Sequence, residues 1–213
     1  MNAAVDRLLR SEREFAVGAG ASPLVALAWT VALAGAVHGL ALGSYALRGE
    51  QALYSALKIP LLLAVSTALC IPSFFVLNTI LGLRSDFSAA LRGILCSQAV
   101  VAVVLASFAP IVLFLFASGL NYRSSLAASG VLFFAASMAG QRTLARHYRP
   151  LIAANPRHRA PRALWLLLYW FVTIQLAWVL RPFIGAPDLP PSFFREDAWT
   201  NAYVGIANSI LGS

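Results

Sequence analysis

Charged side chains are scarce in this chain, and their scarcity excludes an ordinary soluble fold. Only 11% of the 213 residues are charged, whereas 60% are hydrophobic. A soluble domain is nearer half apolar and a quarter charged. Much of this surface must therefore be solvated by lipid. No polar block is long enough for a second folded domain, so the sequence predicts a single membrane domain.

Acidic residues are rarer still, with 8 Asp and Glu against 16 Lys and Arg. Fifteen of the sixteen cations are Arg, and Lys58 is the single lysine. In a soluble protein such an excess of cations suggests a nucleic-acid partner. In so apolar a chain, the positive-inside rule and anionic lipids explain it more simply. Only Tyr148 within the basic segment 145–163 could stack on a base, so we expect no nucleic-acid partner.

The chain also lacks the short motifs of common catalytic and metal sites. It has no phosphate-cradling glycine loop, no His-Glu metal motif and no serine elbow. The two cysteines, Cys70 and Cys96, lie in apolar stretches, where cysteine behaves as a small apolar residue. A disulfide or metal site needs more partners. We therefore predict no metal, no cofactor and no enzyme.

Long hydrophobic stretches are what the sequence does contain. About 20 helical residues cross a hydrocarbon core of about 30 Å. The first stretch is too long for the apolar region of a signal peptide, so we expect it to remain in the protein. Pro72 and Pro110 lie within later stretches and predict local bends. The predicted spans are 24–47, 59–81, 94–120, 124–144 and 164–184.

The predicted fold class is an all-α, polytopic helical membrane protein of about five transmembrane helices. An amphipathic segment, 1–23, precedes the helical domain 24–184 and is expected on the cytoplasmic interface. An outer Pro- and aromatic-rich tail, 185–213, follows it. Within the tail, Tyr203–Leu211 is apolar but short, which favours a partly inserted helix over a sixth span or an interfacial one.

Arginine distribution predicts the orientation. With the N-terminus inside, eleven cations lie on the inner side and five on the outer side. This bias places the N-terminus in the cytoplasm and the tail outside. Richness in Ala and Arg favours a bacterial inner membrane.

Three glycines, Gly35, Gly39 and Gly43, recur every four residues in the first span. Such a row exposes backbone on one helix face and lets another helix approach closely. The partner is a helix of the same chain or of a second copy, and the first alternative is favoured.

A few polar side chains lie in predicted spans. An ionisable residue at membrane depth is a functional candidate, as in a proton relay or ligand contact. The alternative is a neutral imidazole and amides that bond helices together, which is favoured because no carboxylate lies in these spans. The candidate polar path comprises His38, Asn78, Gln98 and Gln175.

Two surface segments are candidates for contact with lipid or partners. The basic loop 145–163 should attract anionic headgroups or an acidic cytoplasmic protein; its candidate residues are Arg146, Arg149, Arg157, Arg159 and Arg162. The outer tail should fold back on the protein or lie at the lipid interface; its candidates are Arg181, Phe193, Phe194, Arg195 and Trp199. Arg195 next to Glu196 and Asp197 forms either an ion pair or a weak catalytic constellation.

The step Ile59-Pro60-Leu61, which opens the second predicted span, resembles the Gly-Pro-Leu-like span entry of the YIP family of membrane proteins. Members are named for interaction with Ypt/Rab GTPases, and the predicted topology is similar to theirs. The glycine is absent here, and the resemblance covers residues 55–180. It implies a non-enzymatic membrane scaffold or trafficking-type factor.

Three functions follow from these features. The favoured one is a non-catalytic scaffold or subunit, assembled as a homo-oligomer or in a larger membrane complex. The second is a small transporter or channel that uses the candidate polar path. The third is an intramembrane enzyme that acts on lipid at Arg195, Glu196 and Asp197.

Overall fold

The computed structural model describes residues 21–186, 189–195 and 201–204. The predicted amphipathic segment lies almost wholly outside these residues. The described residues form long helices, short 3-10 turns and no strands. The long helices are α1 (Ala21–Gly43), α2 (Gly49–Ile80), α3 (Phe87–Ala117), α4 (Tyr122–Ala154) and α5 (Arg159–Leu180).

Four of these segments are long and apolar enough to cross a membrane, so the predicted all-α, polytopic fold class is confirmed. The four segments are Leu24–Gly43, Gly49–Ile80, Arg84–Ala117 and Pro156–Leu180. The remaining predicted span, 124–144, lies in α4 and is helical, but α4 does not meet the same criterion, since serines, Gln141 and Arg142 lower its hydropathy. The count of five spans therefore stays a prediction.

Two expectations about helix ends are wrong. Pro60 does not open a helix, because α2 starts at Gly49 and Pro60 lies inside it. Hydropathy missed these first turns because Gln51, Ser55 and Lys58 are polar, although all three are buried. Hydropathy finds the apolar middle of a membrane helix, whereas polar residues can extend the helix beyond it.

The basic segment 145–163 is not a loop. It continues α4 to Ala154 and enters α5 at Arg159, with only a short turn at residues 155–158. The apolar stripe of α4 persists through Leu144, Tyr148 and Leu151, which pack in one cluster with α5. This packing keeps the segment helical despite its charge.

Each helix packs closely against only some of the others. Helix α1 lies against both α2 and α3, α4 lies against α3, and α5 lies against α2. Phe74, Ile94, Tyr148 and Trp165 bring α2 to α5 together in one core cluster. A second cluster joins α1 to α4 with Ile184. Helices α4 and α5 therefore converge at one end of the bundle and separate towards the other.

Side-chain contacts define the two ends. At the His158 end, the His158 imidazole lies 3.0 Å from the Asp86 carboxylate, between the α4–α5 and α2–α3 turns. At the Lys58 end, the Tyr45 hydroxyl donates to the Leu120 carbonyl at 3.4 Å. The Tyr122 hydroxyl donates to the Ile184 carbonyl at 3.5 Å. Helix α4 therefore runs the full length of the bundle beside α3.

Candidate functional site

The three glycines of α1 face α2 of the same chain. A Cβ atom on Gly39 would lie 2.1 Å from the Ser55 carbonyl oxygen, and one on Gly43 would lie 2.5 Å from the Ala52 Cα atom. A Cβ on Gly35 would lie 3.2 Å from the Pro60 ring. This glycine seam is an intramolecular backbone contact, and it leaves no room there for a second copy of the chain.

His38 lies beside the seam and is wholly buried. Its ring approaches the backbone of Leu105 in α3. Neither ring nitrogen reaches a hydrogen-bond partner of normal geometry among the described residues. A buried polar group without a good partner costs free energy, and an ionisable residue within a span is a functional candidate.

The other members of the candidate polar path have separate partners. The Asn78 side chain donates to the Phe74 carbonyl in its own helix at 2.8 Å. Gln98 accepts a hydrogen bond from the Tyr169 hydroxyl at 2.8 Å, which joins α3 to α5.

Gln175 accepts from the backbone N–H of Ala202 at 3.0 Å. In the described parts of the chain, no hydrogen bond links it to His38, Asn78 or Gln98. The polar path through these four residues therefore stays a prediction.

Lys58, the single lysine of the chain, was not among the predicted site residues. It is wholly buried, and its ammonium group donates to the Pro182 carbonyl at 2.8 Å and the Ser192 carbonyl at 3.4 Å. The ammonium nitrogen also lies 4.9 Å from the centre of the Phe193 ring, within range of a cation–π interaction. We call residues 181–195 the capping segment, because they fold over this end of the bundle; residues 187–188 are not described.

Further polar side chains of α2 hold the same segment. Gln51 donates to the Pro182 carbonyl at 3.0 Å, and the Ser55 hydroxyl donates to the Phe183 carbonyl at 2.5 Å. Positions 51, 55 and 58 share one helix face. Two features of the sequence could have predicted this contact. Polar residues recur on one helix face before the second predicted span, and proline-rich segments have few backbone N–H groups to bond their own carbonyls.

Some of the outer-tail candidates make described contacts, and others lie outside the described residues. Phe193 packs on Tyr54 with ring centres 5.6 Å apart and on Phe194 at 4.8 Å. The Arg181 guanidinium lies 3.5 Å from the Trp178 ring centre. Arg195 is half-buried. The structure does not describe Trp199, Glu196 or Asp197, so the contacts predicted for them stay predictions.

Beyond the capping segment, the chain returns alongside α5. The Tyr203 hydroxyl donates to the Phe171 carbonyl at 2.8 Å, and the two rings stack with centres 4.7 Å apart. Ala202–Val204 is helical. These contacts lie two to three turns inward from the end of α5. Most of the predicted partly inserted helix, Tyr203–Leu211, lies outside the described residues, so it stays a prediction.

The basic candidates lie at the His158 end. Arg146, Arg149, Arg157 and Arg159 are exposed, and Arg162 is half-buried. Asp86 is the only carboxylate described at this end, and it already contacts His158. Burial raises the pKa of the nearby Tyr148 phenol, which stays neutral. The exposed guanidinium groups present a basic surface.

A groove separates α4 from α5 towards the Lys58 end. It encloses about 370 Å³ and is lined mostly by apolar side chains. Ile59 of α2 forms part of its floor, and Ile184 of the capping segment borders it. The rings of Phe134 and Trp170, with centres 5.9 Å apart, bring the two helices into contact across it.

Comparison with known proteins finds no match: no protein-family model, curated protein or solved structure matches the chain. Its function is therefore inferred from the described side chains and their contacts.

Proposed function

We propose that this integral membrane protein is a non-catalytic scaffold or subunit of a membrane assembly. The observation that carries the proposal is the use of its buried polar side chains. Tyr169 and Gln98 join α5 to α3, and Lys58 fixes the capping segment. Polar groups are costly at membrane depth and are retained where they serve structure or function. Here they fix helices and chain segments in place, as a structural component requires.

The α1 surface opposite the seam supports this role. Trp29, Leu33 and Val37 are 62%, 52% and 50% exposed, and they recur every four residues on one face. In the membrane this stripe meets either lipid or another apolar helix. It is the surface that we assign to a second copy or a partner subunit.

The basic surface at the His158 end is assigned to anionic headgroups. Of the described cations, eight lie at this end and five at the Lys58 end. By the positive-inside rule the His158 end faces the cytoplasm, as in a bacterial inner membrane. Since α4 runs beside α3 from end to end, we assign five spans. The YIP-like scaffold role is a further proposal, supported only by the resemblance around Pro60.

Native mass spectrometry of the tagged protein, purified in mild detergent, tests the proposal. We expect a discrete homo-oligomer or a defined complex. The double variant Leu33→Ala and Val37→Ala should release single chains. A matched control, Leu126→Ala and Val131→Ala on α4, should leave the assembly intact. A wild-type protein that elutes only as single chains would overturn the assembly role.

A small transporter is the second candidate, and His38 favours it. A wholly buried imidazole with two poorly bonded nitrogens is able to exchange a proton or hold a ligand. Ion and solute flux into liposomes should then change with pH, and His38→Ala should abolish that dependence. Flux that is no higher than in protein-free liposomes would exclude this candidate.

A further inference from the structure

The groove between α4 and α5 has the properties of a lipid-binding site. Leu126, Gly130 and Phe133 line one wall, and Ile174 and Ala177 line the other. The helices that line it include three of the segments apolar enough to cross a membrane, so the groove lies where hydrocarbon is the surrounding phase. Its apolar lining suits a ligand without polar groups along its length.

The volume of the groove favours a lipid acyl chain over a protein helix as the occupant. At about 30 Å³ for each water-sized group, 370 Å³ holds about a dozen methylene groups. A single turn of helix, about 10 Å across and 5.4 Å long, would already fill it. One acyl chain is therefore the better fit.

A cation lies next to the apolar lining of the groove. Arg123 is exposed and precedes Leu126 by three residues, so the two share one stripe of α4. Residues 122–180 contain no Asp or Glu, so α4 and α5 bring no carboxylate to compete for this guanidinium. A phosphate at the Lys58 end would meet a cation one turn beyond the apolar lining.

We infer that this groove binds one acyl chain of a phospholipid whose anionic headgroup lies at Arg123. The ligand is a bilayer lipid of the membrane half at the Lys58 end. This binding is a function additional to assembly, since the groove lies on α4 and α5 rather than on the exposed stripe of α1.

Photolabelling tests the proposal with the full chain in nanodiscs of phosphatidylglycerol and phosphatidylcholine. The probe is phosphatidylglycerol with a diazirine on one acyl chain. We expect label on α4 and α5 peptides that line the groove. A Cβ on Gly130 would meet no atom within 4 Å, so Gly130→Phe should fill the groove and remove this label. Ala135→Phe, at an exposed position outside the lining, should keep it.

Two further variants keep the test decisive. If Gly130→Phe does not fold, Ala177→Phe fills the groove from the α5 wall and should remove the same label. Arg123→Gln should weaken retention of phosphatidylglycerol about fivefold while leaving phosphatidylcholine unchanged. Label spread evenly over all lipid-facing helices, or label that survives both filling variants, would overturn the proposal.

Discussion

The α1–α2 pair and the α4–α5 pair each consist of two consecutive helices joined by a short turn, and they pack in opposite ways. Gly39 lets the α1 backbone touch that of α2, whereas Phe134 and Trp170 meet through the edge of one ring and leave a groove beside them. Without a hydrophobic driving force between membrane helices, close packing decides how strongly they associate. The seam should therefore be the rigid part of the molecule and the groove its adaptable part.

Substitution of a glycine in each pair is the strongest test of this contrast. Gly39→Leu should reduce stability by about 3 kcal/mol, because even its Cβ would overlap the Ser55 carbonyl and the helices would have to separate. Reversible unfolding in mixed detergent micelles with SDS, followed by circular dichroism, measures the change.

The matched control is Gly130→Leu, which places the same side chain on α4 in open space. It should cost nothing or slightly stabilise the helix, because leucine has the higher helix propensity. Equal losses of stability for Gly39→Leu and Gly130→Leu would show that the two helix pairs do not differ as described.

The second test loosens the boundary of the groove through Lys58. Lys58→Met removes the ammonium group that holds the Pro182 and Ser192 carbonyls. We expect a loss of about 2 kcal/mol, as for hydrogen bonds from a charged donor. The capping segment should also become sensitive to protease added from the Lys58 end.

Leu57→Met is the control, since it changes an exposed neighbour in the same helix turn. If the capping segment were equally protected in Lys58→Met and Leu57→Met, then Gln51, Ser55 and aromatic packing would fix the segment without Lys58.

The two regions also differ in how far the sequence predicted them. Spacing alone revealed the glycine seam, since Gly35, Gly39 and Gly43 must share a helix face. The fold-back of the proline-rich tail was one of two stated alternatives. The groove could not be foreseen, because it depends on α4 and α5 converging at one end only. Lys58 was missed since a charge before a span normally lies in the headgroup region, whereas here backbone carbonyls surround it.

The third test concerns the hydrogen bond by which α5 reaches α3 at the inner limit of the groove. Tyr169→Phe removes the donor to Gln98, at a cost of about 1 kcal/mol, as is typical of polar contacts between membrane helices. A double-mutant cycle with Gln98→Leu should give a coupling of similar size in SDS unfolding. Additive losses would mean that this hydrogen bond does not couple α5 to α3.

The smallest expected effect lies at the His158 end, where α4 and α5 meet. Asp86→Asn keeps an oxygen that can accept from His158 but removes the negative charge. Asp86 is 43% exposed on its side chain, so solvent screens the charge and the loss should be about 0.5 kcal/mol. Asp86→Ala removes the acceptor as well and leaves a wholly buried imidazole with one fewer partner, so its loss of stability in SDS unfolding should be clearly larger. Equal losses for the two variants would mean that the charge of Asp86, rather than the hydrogen bond, joins the turns.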